Sequence, residues 1–228
     1  MQRVLEPEVM DTLQEAVDYD AMDFTKVNTA FAKQAVELGS DASEFVLDAG
    51  TGTARIPIII CQMRYSRREW PLRSHWQVTG IDLAENMLQL GRKNIEAAGL
   101  EKQIKLEIVD TKQLPYADGY FDMVMSNALV HHLPDPLPFF LEIKRVVKPN
   151  GAVFVRDLIR PVDEVTMNAI VDRIGTEYNE HQKMLFRDSL HAAFTLDEIK
   201  ALIEKSGLEG IKVYQSSDLH WTAERKYS

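Results

Sequence analysis

The sequence has little of several features that mark other classes of protein. It holds one cysteine, Cys61, in 228 residues, so an internal disulfide is excluded and a reducing compartment is favoured. No apolar run approaches the roughly 20 residues that a membrane-spanning helix needs. The first residues, M-Q-R-V-L-E-P-E-V, lack the apolar centre of a signal peptide. We therefore expect a cytoplasmic protein that does not insert into a membrane.

Positive charge is also scarce. The chain carries 26 lysines and arginines against 35 aspartates and glutamates, which gives a formal net charge of −9 at pH 7. Because like charges repel, such a protein binds the phosphates of nucleic acids and anionic membranes poorly. We expect neither as a partner. The composition leaves the oligomeric state open between monomer and homodimer.

The apolar content is sufficient for one α/β domain, since 45% of the residues are hydrophobic. Strand-like runs alternate with amphipathic helical segments. The predicted strands cover residues 45–49, 77–81, 104–109, 121–126 and 152–155, with two further β-like runs at 211–216 and 219–225. This alternation predicts a doubly wound, mostly parallel sheet with helices on both faces.

Three helical predictions lie outside this alternation. Residues 8–38 have a helical pattern in which Asn28 can serve as a cap. Residues 163–186 are predicted as one long helix. Thr195, followed three residues later by Glu198, predicts a capping box that begins another helix.

A glycine turn follows the first predicted strand, where Phe45–Thr53 reads F-V-L-D-A-G-T-G-T. Strand, glycine turn and helix bring backbone N–H groups up to a nucleotide-like ligand. The pattern departs from the dinucleotide fingerprint because Arg55 stands at the third glycine position. In addition, Asp48 would lie close to a dinucleotide's negative pyrophosphate. A carboxylate there suits a ligand that carries an ammonium and a sulfonium.

Acidic residues end three successive predicted strands: Asp48, Asp82 and Asp110. The carboxyl ends of parallel strands meet at one edge of the sheet, where ligands of doubly wound folds bind. Asp82 is placed to accept hydrogen bonds from both ribose hydroxyls, because a carboxylate accepts in bidentate fashion. Its distance from the glycine turn exceeds the dinucleotide spacing, which a predicted loop insertion over residues 65–74 explains.

These motifs, together with F-D-M-V-M-S-N-A-L-V-H-H-L-P-D-P at 121–136, resemble the class I S-adenosylmethionine (SAM)-dependent methyltransferases that act on small molecules. The resemblance covers about residues 40–160 and the remainder in outline. It implies a Rossmann-like, seven-stranded sheet whose last strand runs antiparallel between strands five and six. It also implies SAM as the cofactor, S-adenosylhomocysteine as the product and a small molecule as the methyl acceptor.

The resemblance implies a set of cofactor contacts along these motifs. Leu83 and Met87 would provide apolar contacts to the adenosine, Asp110 would accept from the adenine amino group, and Asn127 would contact SAM after strand four. The full set of expected cofactor-binding residues is Asp48, Gly50, Thr51, Gly52, Asp82, Leu83, Met87, Asp110, Thr111 and Asn127.

Two adjacent histidines, His131 and His132, are the candidate general bases. A neutral imidazole can take a proton from the acceptor as the methyl group arrives. Because adjacent side chains point in different directions, we favour His132, with a pH–rate limb near neutrality. The alternative is that both histidines only shape the pocket, since displacement at an activated methyl needs little more than alignment.

The acceptor side and the domain organisation are also expectations from the resemblance. The expected acceptor-binding residues are Tyr19, Met22, Asp157, Arg160 and Arg187. We treat 1–228 as a single domain with a helical cap (1–40), a SAM-binding core (41–160), an acceptor-side lid (161–194) and a C-terminal helix with strands (195–228). The sequence singles out no metal ligands.

Two other functions remain open from the sequence. A nicotinamide-dependent oxidoreductase could use the same turn, although Arg55 and Asp48 both disfavour it. A non-catalytic SAM-binding protein would keep the nucleoside site without acceptor chemistry. The absence of an N-P-P-Y-like motif after strand four, where S-N-A-L stands, argues against methylation of adenine or of a glutamine amide. The acceptor atom is not specified by these motifs.

Overall fold

The computed structural model of the chain describes residues 1–7, 9, 12–41, 43–65 and 76–228. Within them the strands are Phe45–Ala49 (β1), Gln77–Asp82 (β2), Ile104–Ile108 (β3), Phe121–Asn127 (β4), Val147–Leu158 (β5), Lys212–Gln215 (β6) and His220–Arg225 (β7). They form one sheet in the order β3-β2-β1-β4-β5-β7-β6. Strand β7 is antiparallel to both of its neighbours, and the other pairs are parallel. The predicted fold class is confirmed.

Helices cover both faces of this sheet. They are Leu13–Ala21 (α1), Thr25–Leu38 (α2), Arg55–Tyr65 (α3), Glu85–Ala98 (α4), Leu137–Val146 (α5), Glu164–Ile174 (α6), Glu180–Ala192 (α7) and Leu196–Ser206 (α8). Successive strand residues point to opposite faces. Val46 therefore packs with the cluster that contains α2, α3 and α4, whereas Leu47 packs with α5 and α8.

The N-terminal region predicted to be helical over 8–38 forms two helices, and the second does not begin at Asn28. Met22 has an extended backbone that ends α1. The Asp23 carboxylate then accepts from the Thr25 N–H at 2.9 Å, which begins α2. Asn28 lies inside α2, where it is buried, and it caps neither helix.

The long helix predicted over 163–186 is also wrong. Helix α6 ends in a short 3-10 turn at Gly175–Glu177, and the Asn179 side chain then begins α7 with a capping box of its own. A side chain that satisfies free N–H groups starts a helix, so it interrupts a continuous one. The capping box predicted at Thr195 and Glu198 is confirmed at the start of α8.

The site is positioned at the carboxyl edge between β1 and β4. From β1 the chain continues to β2 on one side, while β4 lies on the other, which makes this the topological switch point. The Ser126 hydroxyl of β4 donates to the Ala49 carbonyl at 2.8 Å and joins the two strand ends.

Two predictions concern segments away from this edge. The loop insertion expected over 65–74 lies outside the described residues, apart from Tyr65 at the end of α3. Among the described helices, none combines the length and the apolar character that crossing a bilayer requires.

Candidate functional site

The turn after β1 is built on two glycines with left-handed backbone conformations. Gly50 and Thr51 both donate their N–H groups to the Ile81 carbonyl at 2.9 Å, which fastens the turn to β2. Gly50 has a φ of +75°, and a Cβ atom there would approach the Leu129 side chain to 3.0 Å. A glycine is therefore required both by the backbone and by the close approach of the segment after β4.

Asp82 connects the end of β2 to the same turn. One carboxylate oxygen accepts from the Gly52 N–H at 2.9 Å, and the other accepts from the Ala84 N–H at 3.0 Å. These bonds fix the orientation of the carboxylate at the carboxyl edge. A carboxylate oxygen accepts more than one hydrogen bond, so Asp82 retains the chemistry to receive ribose hydroxyls.

Asp48 is buried beneath the turn. Its carboxylate accepts from the Thr51 hydroxyl at 2.7 Å. Burial, together with the negative charge of Asp82, raises the pKa of Asp48 to about 7, although the Thr51 hydroxyl acts in the opposite direction. A positively charged ligand on the turn would favour the ionised form of this carboxyl group.

Two alanines flank the site with positive φ angles. Ala54, at the start of α3, has a φ of 62°, and Ala128, directly after β4, has a φ of 56°. Residues other than glycine are uncommon in this region, and such strain concentrates at functional sites. The Ala128 N–H donates to the Arg156 carbonyl at 3.0 Å, which helps to hold its position.

A cavity opens at this edge of the sheet. Its wall among the described residues contains these predicted cofactor, acceptor and base residues: Tyr19, Gly50, Gly52, Asp82, Leu83, Met87, Thr111, Asn127 and His132. It also contains residues that the sequence analysis did not name: Val9, Ala84, Val109, Lys112, Ala128, Leu129 and Leu133. Most of these residues are neighbours of the named motifs in the sequence. Their position next to a predicted strand end was the feature from which they could have been predicted.

Three of the predicted cofactor residues lie outside the wall: Asp48, Thr51 and Asp110. The first two form the hydrogen bond beneath the turn. Asp110 accepts from the N–H of Lys112 at 2.9 Å and pairs with its ammonium at 3.0 Å. Lys112 therefore lines the cavity, whereas the Asp110 carboxylate is occupied by hydrogen bonding within a local turn.

Arg55, at the third glycine position, holds the junction between α1 and α2. Its guanidinium donates to the Met22 carbonyl at 2.8 Å and to the Asp20 carbonyl, and it forms an ion pair with the Asp20 carboxylate at 3.4 Å. This clamp places Tyr19 in the cavity wall, where burial raises the pKa of its hydroxyl. Met22 contributes its backbone carbonyl to the clamp and is not part of the wall.

The two histidines have different surroundings. His131 is buried: its backbone N–H donates to Asp157 at 3.0 Å, and its Nδ1 lies 2.5 Å from the other Asp157 oxygen. Burial alone would lower the pKa of His131, but the Asp157 carboxylate raises it overall. His132 lines the cavity.

Burial, together with the neighbouring His131, lowers the pKa of His132 to about 4. Its imidazole is therefore neutral throughout the physiological range. The pH–rate limb near neutrality that the sequence analysis attached to His132 does not agree with this pKa. The general-base role itself stays a prediction.

The remaining predicted acceptor residues are not brought to the cavity wall. Asp157 holds His131 inside the protein. Arg160 is buried, donates to the Ala193 carbonyl at 3.1 Å and pairs with Glu198 at 2.7 Å. Arg187 is a partly buried residue of α7 and is absent from the wall.

The sequence analysis missed two residues of the N-terminal segment that contact the histidine region. The Arg3 guanidinium donates to four backbone carbonyls at 2.6–3.1 Å, those of His131, Leu133, Pro134 and Ala192. Glu6 approaches both histidines, at 3.3 and 3.2 Å. These partners are more than a hundred positions away in the chain, so no local pattern could reveal them.

Comparison with known proteins agrees with this geometry. The family model described as a methyltransferase domain matches residues 47–155. A demethylmenaquinone methyltransferase from Bacillus cereus is 27% identical over 233 residues, covering 93% of this chain and 92% of the relative. Methyltransferase GfsG from Streptomyces halstedii is 26% identical over 62% of this chain, and a demethylmenaquinone methyltransferase from Lactobacillus johnsonii is 31% identical over 54%. The chain spans about half of the length of these last two relatives, 48% of each.

Solved structures share the fold. One from Methanococcus maripaludis, named for S-adenosyl-L-methionine-dependent methyltransferase activity, has a TM-score of 0.72 at 16% identity and covers 100% of this chain and 98% of its own. A SAM-dependent methyltransferase from Aquifex aeolicus has a TM-score of 0.65 at 16% identity, covering 95% and 99%. Residues 47–155, which contain the glycine turn and Asp82, thus match the methyltransferase-domain family, and the whole chain is similar to SAM-dependent methyltransferases.

Proposed function

We propose that this chain transfers the methyl group of SAM to a small-molecule acceptor. The observation that carries the proposal is the cavity at the carboxyl edge, whose wall combines the glycine turn with Asp82. In this proposal the ribose hydroxyls donate to Asp82. The side chains of Leu83 and Met87 pack against the adenine, and Asn127 contacts the methionine portion.

The charge beneath the turn supports a cationic ligand. Asp48 is buried, and its raised pKa means that the ionised carboxylate is costly in the free protein. The ammonium of SAM, placed on the turn, would offset this cost. A dinucleotide pyrophosphate would instead add negative charge beside Asp48 and Asp82, which is why we rank a nicotinamide-dependent reaction lower.

Methyl transfer itself requires little covalent chemistry from the protein. The sulfonium is already a good leaving group, so the enzyme's main contribution is to align the acceptor nucleophile with the methyl carbon. Tyr19 and His132 come from distant segments but line the same cavity. We assign both to the acceptor end, with His132 as the proton acceptor where the nucleophile must lose a proton.

The proposed class of methyl acceptor is inferred from the names of the relatives. One relative named as a demethylmenaquinone methyltransferase aligns over nearly the whole chain, so a reduced quinone is the first acceptor to test. From the net charge of −9 we predict that nucleic acid is not an acceptor, and the single cysteine favours a cytoplasmic location. Both stay predictions.

We also propose that residues 161–194 act as a lid over the acceptor. Helices α6 and α7 pack on one another through Met167, Val171 and Leu190. Closure of such segments excludes water from a reaction. Limited proteolysis of this segment should slow when S-adenosylhomocysteine and product are bound together. Unchanged cleavage would count against the lid.

The proposed function is tested first by calorimetry. SAM and S-adenosylhomocysteine should bind, whereas NAD and NADP should not. Nicotinamide binding of comparable strength would overturn the proposal. Transfer of a labelled methyl group is then measured with demethylmenaquinol, a metabolite panel and an extract of the native cell, and the product is identified by mass. SAM binding without transfer in any of these would favour a non-catalytic SAM-binding protein.

A further inference from the structure

A carboxylate and two imidazoles converge beside the cavity. One oxygen of Glu6, Oε1, lies 3.3 Å from Nε2 of His131 and 3.2 Å from Nδ1 of His132. The three side chains each offer one ligand atom, and these atoms lie within 4.8 Å of one another. The cluster is removed from solvent, since the side chains of Glu6 and His131 are 10% and 4% exposed.

These approaches are not hydrogen bonds. Oε1 of Glu6 and Nδ1 of His132 are buried atoms, and neither has a hydrogen-bond partner. A buried polar atom without a partner is destabilising, so such atoms are rare and point to a role. Two of them directed at each other are stabilised by a cation that accepts an electron pair from both.

Two of the three side chains also have an outer hydrogen-bond partner. Nδ1 of His131 lies 2.5 Å from Asp157, and the second oxygen of Glu6 accepts from the Ser189 hydroxyl at 3.2 Å. Outer partners of this kind fix the tautomer and orientation of metal-binding side chains. The Asp157 contact occupies Nδ1 of His131 and leaves its Nε2 facing Glu6.

The spacing agrees with a small, four-coordinate ion. Zinc bonds to imidazole nitrogen at about 2.0–2.1 Å and to carboxylate oxygen at about 2.0–2.2 Å, so two ligand atoms of a tetrahedral site lie about 3.3 Å apart. The measured separations, 3.3 and 3.2 Å, match that edge. Two histidines and one glutamate are a known ligand set of zinc sites that keep one position open.

We propose that Glu6, His131 and His132 bind a divalent metal ion of the zinc type and leave one coordination position for water or the acceptor. His132 belongs to the cavity wall, so the ion borders the proposed acceptor end. The metal would use the lone pair that a general base needs, so binding it replaces the base role of His132. The competing occupant is a proton held between Glu6 and His131.

The test uses the full chain, stripped of metal with a chelator and then titrated with Zn²⁺ against a chromophoric chelator. We expect one equivalent of Zn²⁺ to bind, and Co²⁺ to give the intense visible absorption of four-coordinate sites. Glu6→Gln, which keeps the shape of the side chain, should weaken Zn²⁺ binding by about 100-fold or more, since outer partners alone contribute 10–100-fold. Ser189→Ala should weaken it by about tenfold.

A matched control is Glu164→Gln. The Glu164 carboxylate lies 3.7 Å from Nε2 of a single histidine, His191, and this change should leave Zn²⁺ binding unaltered. His132→Gln provides a second ligand variant should Glu6→Gln not fold. Circular dichroism and binding of S-adenosylhomocysteine report on folding in each case.

A wild-type chain that binds no stoichiometric Zn²⁺, or ligand variants that bind it with unchanged affinity, would overturn the metal site and leave a proton as the occupant. The metal readout needs neither SAM nor an acceptor. Failure of SAM binding with Zn²⁺ binding intact would therefore count against the proposed function alone.

Discussion

The two sides of the cavity are assembled in different ways. One side, the cofactor side, consists of the glycine turn and Asp82, where we propose that SAM binds. There the Gly52 N–H donates to the Asp82 carboxylate, thirty positions further along the chain, and joins the ends of two adjacent parallel strands. The other, the histidine side, consists of His131 and His132 with the N-terminal segment that contacts them. There the Arg3 guanidinium donates to the backbone carbonyls of His131 and Ala192, which are 128 and 189 positions away. The first side follows from the sheet, because neighbouring strand ends must meet. The second side depends on the chain's first residues docking onto two distant segments.

This difference has an energetic consequence. The cofactor side lies on the central strands, which are held by backbone hydrogen bonds and buried apolar residues. Core elements of this kind are expected to open at a free energy close to that of global unfolding. The N-terminal segment is held mainly by one guanidinium. We therefore expect the histidine side to open locally while the cofactor side stays closed, and the following predictions test that separation.

The largest effect is expected at the cofactor side. Asp82→Ala removes a charged acceptor that holds Gly52 and Ala84 and, in our proposal, both ribose hydroxyls. SAM affinity measured by calorimetry should fall by about 1.5–3 kcal/mol, which corresponds to roughly 10–150-fold. Asp110→Ala is the matched control, because Asp110 lies outside the cavity wall and its carboxylate pairs with Lys112, so the effect should be smaller. Normal SAM binding by Asp82→Ala would show that the residue is only structural.

The next effect is expected at the histidine side. Arg3→Ala removes the donors to four carbonyls and a guanidinium that lies 3.7 Å from the centre of the Phe194 ring. Hydrogen exchange over residues 1–7 and 131–134 should rise, and methyl transfer should fall by roughly tenfold, since hydrogen bonds to charged groups contribute about 1.5–3 kcal/mol.

The affinity of Arg3→Ala for S-adenosylhomocysteine should stay within about twofold of the wild-type value. The control is Arg173→Ala, which removes an exposed ion pair with Asp218 at 3.4 Å and should change neither quantity. A parallel loss of cofactor affinity in Arg3→Ala would mean that the two sides are one cooperative unit.

The same contrast explains what the sequence could predict. The glycine turn, Asp82 and the capping box at Thr195 are local patterns, and each has the predicted structure. The resemblance implied that Asp157 and Arg160, which follow a strand predicted to end at residue 155, line the acceptor pocket. Strand β5 continues to Leu158, so Asp157 lies within the strand, opposite Trp221, and its side chain is used by His131.

Other predictions failed because two local signals competed. Asn28 has the chemistry of a helix cap, but Asp23 already satisfies the first free N–H of α2. The region 163–186 has a helical pattern throughout, yet the Asn179 capping box divides it. Glu6 carried no signal at all, since its role depends on a contact with histidines that only the folded chain brings near.

The pH dependence of SAM binding tests the cofactor side more finely. Burial raises the pKa of Asp48 to about 7 in the free protein, so below that pH the carboxyl group is protonated. A bound ammonium favours the ionised form, so binding must release a proton there. SAM affinity should therefore increase with pH, by up to about tenfold per unit, and level off above pH 7.

Calorimetry in two buffers of different ionisation enthalpy measures that proton release directly. Asp48→Asn keeps the size of the side chain but cannot ionise, so its affinity for SAM should be lower at pH 8 and nearly independent of pH between 5.5 and 8. An unchanged pH profile in this variant would assign the titration to another group.

The smallest expected effect concerns Cys61, the single cysteine, which lies in α3 beneath the cofactor side. It is 4% exposed, and burial raises the pKa of its thiol to about 12. Since the thiolate is the reactive form, labelling by a thiol reagent at pH 8 should require opening of the sheet core. Labelling should thus be slow in the folded protein and rapid in urea.

Cys61 also reports whether the two sides open separately. Arg3→Ala should leave its labelling rate within about twofold of the wild-type rate, because release of the N-terminal segment does not expose α3. Asp82→Ala, which loosens the turn that leads into α3, should raise the rate more than Arg3→Ala does. The labelling rate of Cys61 could instead rise in Arg3→Ala by the same factor as hydrogen exchange over residues 1–7. That result would show that the first residues hold the cofactor side closed. The local docking of Arg3 would then be part of the global stability of the sheet.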